Sequence, residues 1–263
     1  MSLRNGLRLP VAAPSSGPLY EGHFPGRPIL PGVGLLDLAL GALSAAGASP
    51  TLREIVALRL RRPVEPGEQM EIEVKASDPD GRTRLEVRRA AEIVANGVVV
   101  LGEPSPRTRP AAPRSPSRRP SVVPHLDDLL PHRPPMRFVE TIEAETDSGV
   151  VCAVSVPTLC AFTERGSAPA LVALEMAAQS AAVFEALLRI RREDGGGARI
   201  GYLVGARNVH FARARVPAGV TIFAAVRLAA IAPPLSIYDF EVADATGVVA
   251  SGTLSAWLTA RGA

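Results

Sequence analysis

Cysteine and aromatic residues are scarce in this chain: two cysteines, one tryptophan, three tyrosines and seven phenylalanines among 263 residues. Cys152 and Cys160 have neither a disulfide framework nor metal-ligand spacing, which argues against a stapled secreted scaffold and for a reducing compartment, with no metal and no bound cofactor expected. With aromatics at 4% and hydrophobic residues at 47%, the core has to be built largely from alanine and valine, a mixture suited to tight packing around a helix. Also missing is any run of the roughly 18 apolar residues that a membrane helix requires. The opening MSLRNGLRLPVAAP lacks the apolar stretch of a signal peptide, so the expectation is a soluble, cytoplasmic protein with no membrane partner. Net charge is only +3, and much of the surplus lies in Arg107, Arg109, Arg114, Arg118 and Arg119. These stand among prolines and serines without aromatics for base stacking, which reads as a solvated linker and not a nucleic-acid contact.

Residues 103–124, EPSPRTRPAAPRSPSRRPSVVP, divide the chain into domains at 1–102 and 125–263. Extended at roughly 3 Å per residue, that segment reaches on the order of 60 Å, enough to join two halves without dictating how they dock. The halves repeat one another. His23-Phe24, Pro31-Gly32-Val33 and Asp37 recur as Ala161-Phe162, Pro169-Ala170-Leu171 and Glu175, at a constant offset of 138 residues. A helix-forming stretch follows each motif. LLDLALGALSAA is apolar on nearly every face, as for an enclosed helix. LVALEMAAQSAAVFEALLRIRRE becomes amphipathic late, where Glu185 and Arg189 suggest a solvated end. Strand-like segments come after: MEIEVKA, EIVANGVVVL (read as two pieces around an Asn96-Gly97 turn), GVTIFAAVRLAAI, LSIYDFEVA and VVASGTLSAWLTA. The expected class is α+β, with two antiparallel sheets each wrapped around a long central helix and the two copies paired edge to edge.

Gly22-His23-Phe24-Pro25-Gly26-Arg27-Pro28-Ile29-Leu30-Pro31-Gly32-Val33 holds three glycines and three prolines in twelve residues, so it is neither helix nor central strand. It is a fixed loop that delivers an imidazole to the start of a helix, where the Gly32 and Val33 amides suit partial negative charge. Elimination of water β to a thioester needs a base, an acid and donors to the carbonyl oxygen. His23 and the two amides fill the first and third roles.

This loop, with an acid fourteen residues after its histidine, resembles the 3-hydroxyacyl-[acyl carrier protein] dehydratases of the FabA/FabZ type. LRLRRPVEPGE (58–68), the LPHRPPM segment (130–136) and the Glu175-x-x-x-Gln179 spacing resemble the same family. The two diverged halves together resemble the paired dehydratase subunits of aryl-polyene-type biosynthesis, fused into one chain with a double hot-dog fold. The resemblance implies a site between two hot-dog units, histidine from one and acid from the other. His23 then faces Glu175, with Gln179 orienting the carboxyl, while the reciprocal site pairs Asp37 with Ala161 and is degenerate, Gly41 standing where the family has glutamine. It also implies a substrate carried on the phosphopantetheine of acyl carrier protein, and an internal pseudo-dimer free to associate further.

On this reading His23 abstracts the α-proton and protonated Glu175, its pKa raised among Leu171, Leu174 and Met176, protonates the departing hydroxyl. Arg27, Arg59, Arg61, Arg62, Arg213 and Arg215 are candidates for docking the acidic carrier. His125, His132 and His210 read as structural, and Cys160 has no visible base. Two alternatives stay open: a hot-dog thioesterase, and a non-catalytic subunit that binds acyl carriers.

Overall fold

The structure, a computed structural model, describes residues 4–48, 51–105, 124–192, 199–232 and 234–258. Most of the proline-rich segment and its five arginines lie outside the described residues. The elements run β1 (Arg8–Ala12), α1 (Gly32–Ala45), β2 (Leu52–Leu60), β3 (Gln69–Ser77), β4 (Arg82–Arg89) and β5 (Glu92–Leu101) in the first half. The second half supplies α2 (Leu126–Leu129), β6 (Val139–Thr146), β7 (Gly149–Val154), β8 (Ser167–Pro169), α3 (Val172–Arg191), β9 (Gly201–Phe211), β10 (Arg215–Pro217), β11 (Ile222–Ala232), β12 (Leu235–Asp244) and β13 (Gly247–Leu258).

Eleven of these strands form one antiparallel sheet in the order β1-β3-β4-β5-β2-β9-β13-β12-β11-β7-β6, with β8 and β10 paired apart from it. The two sheets expected to pair edge to edge form one continuous sheet, and the join has a simple cause. β2 and β9 each have a free edge within their own half, and they pair across the seam from Glu54↔His210 to Arg59↔Gly205, which satisfies backbone groups that an open edge would leave bare. The larger core is continuous across the same seam, joining Val33, Leu43, Ile55 and Leu58 to α3 and the second-half strands.

Helix α3 is buried along most of its length and packs on β6, β7, β11, β12 and β13. Ala173, Ala177, Ala181 and Ala186 let the strands come close, as expected of a core poor in aromatics. Its late turns depart from the solvated end read from sequence. Arg189 is buried, and Glu185 accepts a hydrogen bond from the Tyr238 hydroxyl, while Ile190 stands exposed instead. Helix α1 also departs from expectation: Gly41, Ser44 and Ala45 are exposed, so it is covered on one side only. The Asn96-Gly97 turn is absent, because β5 runs straight through it. Gly97 serves close approach: a Cβ there would lie 2.6 Å from the Ala57 carbonyl oxygen.

Candidate active site at the seam

A cavity of about 280 Å³ opens between the halves. The first half lines it with His23, Ile29, Gly32 and Leu60, the second with His132, Glu175, Ala178, Ala181, Ala182, Glu185 and the start of β9. Residues 175, 178, 181, 182 and 185 share one face of α3, so the cavity follows that helix for about 15 Å. The three alanines on this face leave the space open. Glu175 stands at one end and the Glu185–Tyr238 pair at the other.

Local backbone geometry brings the two imidazoles together. Gly22 has φ +83°, and a Cβ on it would sit 1.9 Å from the Arg133 carbonyl oxygen. Only glycine permits that approach, and the Arg133 amide donates to the Gly22 carbonyl at 3.0 Å. The histidine loop is thereby clamped to the turn that carries His132. His23 and His132 have ring centroids 5.3 Å apart, with Phe24 stacked on His23 at 4.2 Å and edge-on to His132 at 4.7 Å. His23 Nδ1 lies 3.0 Å from the Ile29 carbonyl oxygen, which can only accept, so Nδ1 carries the hydrogen and Nε2 keeps its lone pair. Burial lowers the His23 pKa from 6.5 to about 4, against the opposing pull of nearby Glu175, and the ring is a neutral base at pH 7.

Glu175 is buried and held by two donors on one oxygen. Gln179 Nε2 donates to Oε1 at 3.1 Å, and His132 Nε2 lies 3.4 Å from the same atom. Gln179 is fully committed: Nε2 also donates to the Met136 carbonyl and its oxygen accepts from the Phe138 amide, both at 2.8 Å, tying the 132–138 segment to α3. The expectation of a raised Glu175 pKa is corrected here. Burial does push it up, but the His132 hydrogen bond, the His23 and His132 rings and Gln179 outweigh burial and hold the carboxyl well below the usual carboxylate range. A buried carboxylate without a compensating charge costs several kcal/mol. His132 Nδ1, on the far side of its ring from Glu175, has no hydrogen-bond partner among the described residues.

Of the residues named from sequence, His23, Glu175 and Gly32 line the cavity, Gln179 braces Glu175, and Val33 is wholly buried and does not line it. Asp37 and Ala161 are absent from its walls. Asp37 is partly buried, and its pKa is raised by burial against the opposing influence of Arg215. Arg27, Arg61 and Arg62 are exposed at the cavity, whereas Arg59 is exposed on β2 away from its walls. Arg213 is engaged bidentately by Asp244 at 2.6 and 2.9 Å, which neutralises it, whereas exposed Arg215 donates to Ser167 and to the Glu164 carbonyl, both uncharged groups. His125 caps α2 and His210 bonds the Ser105 carbonyl, as structural histidines do. His132 was the residue missed. Its place beside Glu175 depends on the Gly22–Arg133 contact, a fact of tertiary structure, and the LPHRPPM segment was its one trace along the chain. Cys160 is buried, with its thiol pKa raised by that burial, and is no nucleophile.

Ligand atoms of His23, His132 and Glu175 all lie within 4.8 Å of one another. Tetrahedral zinc with bonds near 2.0–2.1 Å requires donor–donor edges of roughly 3.3–3.4 Å. The His132–Glu175 contact, at 3.4 Å, meets that edge, and Phe24 packs against both rings.

The solved dehydratase domain of PpsC from Mycobacterium tuberculosis, in complex with C12:1-CoA, matches with a TM-score of 0.66 at 19% identity, over 96% of this chain and 93% of that one. The chain therefore shares the fold of that domain, here built on one large antiparallel sheet. Residues 124–260 match the ApeP-like family, described as ApeP dehydratase, and residues 4–98 match the ApeI-like family, described as ApeI dehydratase. The chain belongs to the ApeP-like dehydratases, with an ApeI-like region before that match. Among curated relatives, the 3-hydroxyacyl-[acyl-carrier-protein] dehydratase FabZ of Symbiobacterium thermophilum is 42% identical over 66 residues, 22% of this chain and 46% of that protein. FabZ of Yersinia pestis is 35% identical over 109 residues, 36% of this chain and 60% of that protein. The chain spans about half the length of the curated relatives it matches.

Proposed function

We propose that this chain removes water from a 3-hydroxyacyl thioester carried on acyl carrier protein, at one composite site between two hot-dog units, residues 1–102 and 125–263, tethered by 103–124. The observation that carries the reading is the shared cavity, where a neutral imidazole from the first half and a buried carboxyl from the second have reactive atoms within 4.8 Å. His23 Nε2 takes the proton from C2. The Gly32 amide, at the head of α1, faces the charge that develops on the thioester oxygen. The hydroxyl on C3 departs on the Glu175 side with a proton. Arg27 and Arg61 at the mouth suit the phosphate of the carrier's phosphopantetheine arm, while Arg62 is paired with Glu92 at 2.7 Å. Asp37 and Ala161 form no second site on this reading.

The test is product analysis with the purified chain and a 3-hydroxyacyl carrier substrate. The expected product is the trans-2-enoyl thioester. His23→Ala and Glu175→Gln should each lower kcat on the order of 10²–10⁴-fold. A free acid as product would make the chain a thioesterase, and no turnover by the folded chain would make it a carrier-binding subunit; either result overturns the proposal.

A further inference from the structure

The departing hydroxyl needs a proton, yet the carboxyl beside it is held ionised by its neighbours. A second buried imidazole touches that carboxyl and has no assigned part. Resting on the dehydration reading above, we propose that His132 is a positioning residue for Glu175, the two side chains holding one proton in common across their 3.4 Å contact and delivering it through the carboxyl to the departing oxygen.

Geometry supports both parts of that role. His132 Nε2 and Gln179 Nε2 converge on Oε1 of Glu175, and among the described residues Oε2 takes no hydrogen bond, which leaves it for the cavity. The carboxyl is thus oriented at rest, with its open oxygen toward the cavity. His132 itself is fixed from the other side by the edge of Phe24 and by the Gly22–Arg133 clamp. A proton that passes from the ring to Oε1 is presented to the departing oxygen by a turn of the carboxyl, whose Oε2 takes no hydrogen bond among the described residues.

The step balances. The C2–H bond breaks and its proton goes to His23 Nε2. The C2–C3 π bond forms from that electron pair as the C3–O bond breaks. The oxygen takes the proton held by Glu175 and His132 and leaves as water. His23 then has one proton in excess and the pair lacks one. With the rings 5.3 Å apart, the product water bridges the return transfer, so no co-reactant is consumed.

The decisive measurement is the infrared carboxyl band of the free enzyme near neutral pH, which needs no turnover and therefore stands apart from the dehydration reading. Wild type should show no protonated-carboxyl band from Glu175. His132→Leu should show one, because burial without the ring raises the carboxyl's pKa, and the band should vanish in His132→Leu/Glu175→Gln. A band unchanged between wild type and His132→Leu overturns the proposal. His132→Gln keeps a donor to Oε1 but cannot exchange a proton, and provides the same spectrum if the leucine variant fails to fold. On the carrier substrate His132→Gln should lose kcat on the order of 10²-fold with KM within about threefold. Wild-type kcat in that folded variant refutes the shared proton.

Discussion

Asp37 and Glu175 occupy matching positions on α1 and α3, but their surroundings differ in every respect that matters for chemistry. Glu175 is buried, braced on one oxygen by His132 and Gln179, and faces an imidazole delivered by the opposite half. Asp37 is partly buried on a helix with one exposed side, outside the cavity, with Arg215 as the nearby charge that favours its ionised form. The contrast extends one turn along each helix. Gln179 is wholly buried and makes three hydrogen bonds, while Gly41 faces open space. A carboxyl in the right place on a duplicated helix is therefore insufficient. On the proposed dehydration reading it becomes reactive where donors fix its orientation and the cavity removes competing water.

The largest expected effect breaks the comparison at its acids. Asp37→Asn should leave kcat within about twofold of wild type, against the loss of 10²-fold or more for Glu175→Gln. Transplanting the histidine should not help: His23→Ala/Ala161→His should stay as inactive as His23→Ala alone, because neither Ala161 nor Asp37 lines the cavity. Steady-state rates on one carrier substrate decide both points. Recovery of activity in the double variant would mean that the second half's loop still reaches a working acid.

A second effect sharpens the contrast through pH. The base must be neutral, and burial has moved its pKa from 6.5 to about 4, so the acidic limb of kcat/KM should lie near pH 4. A limb near 6.5 would show an imidazole open to water. Stability runs in the same direction. The unfolded chain binds a proton at His23 below its ordinary pKa of 6.5, which the folded chain resists down to about 4, so this residue's contribution is present above 6.5 and lost as pH falls through that window. Glu175, with its folded pKa depressed, likewise contributes above its ordinary value of 4.5 and loses that contribution on acidification. Circular dichroism across the same pH range separates unfolding from titration of the base.

The sequence showed the repeat, the histidine loop, the acid on the second helix and the strands β3, β11, β12 and β13, because each has a local signature: fixed spacing, glycine and proline density, or period-two alternation. What it concealed was set by contact between distant segments. Gly97 looks like a turn residue and serves close approach to Ala57. Glu185 and Arg189 look like a surface pair and turn inward, the first onto Tyr238. The direction of the Glu175 pKa was misjudged because Leu171, Leu174 and Met176 are visible along the chain and His132, forty-three positions earlier, is not. Pairing of β2 with β9 likewise depends on two edges that no pattern within either strand marks as partners.

The smallest effects test Gln179 and Gly41. Gln179→Leu is close in volume but leaves the Phe138 amide and the Met136 carbonyl without partners inside the protein, so it should destabilise the fold by about 2–4 kcal/mol. Gly41→Ala should act in the opposite direction. The position lies within α1, no atom comes within 4 Å of an added Cβ, and its backbone does not require positive φ. Alanine there loses less backbone entropy on folding and should stabilise the protein by about 0.5–1 kcal/mol. Chemical denaturation of both variants measures the difference. A destabilising Gly41→Ala would mean that something packs against that exposed turn in solution, and the first half's helix would then have a partner of its own.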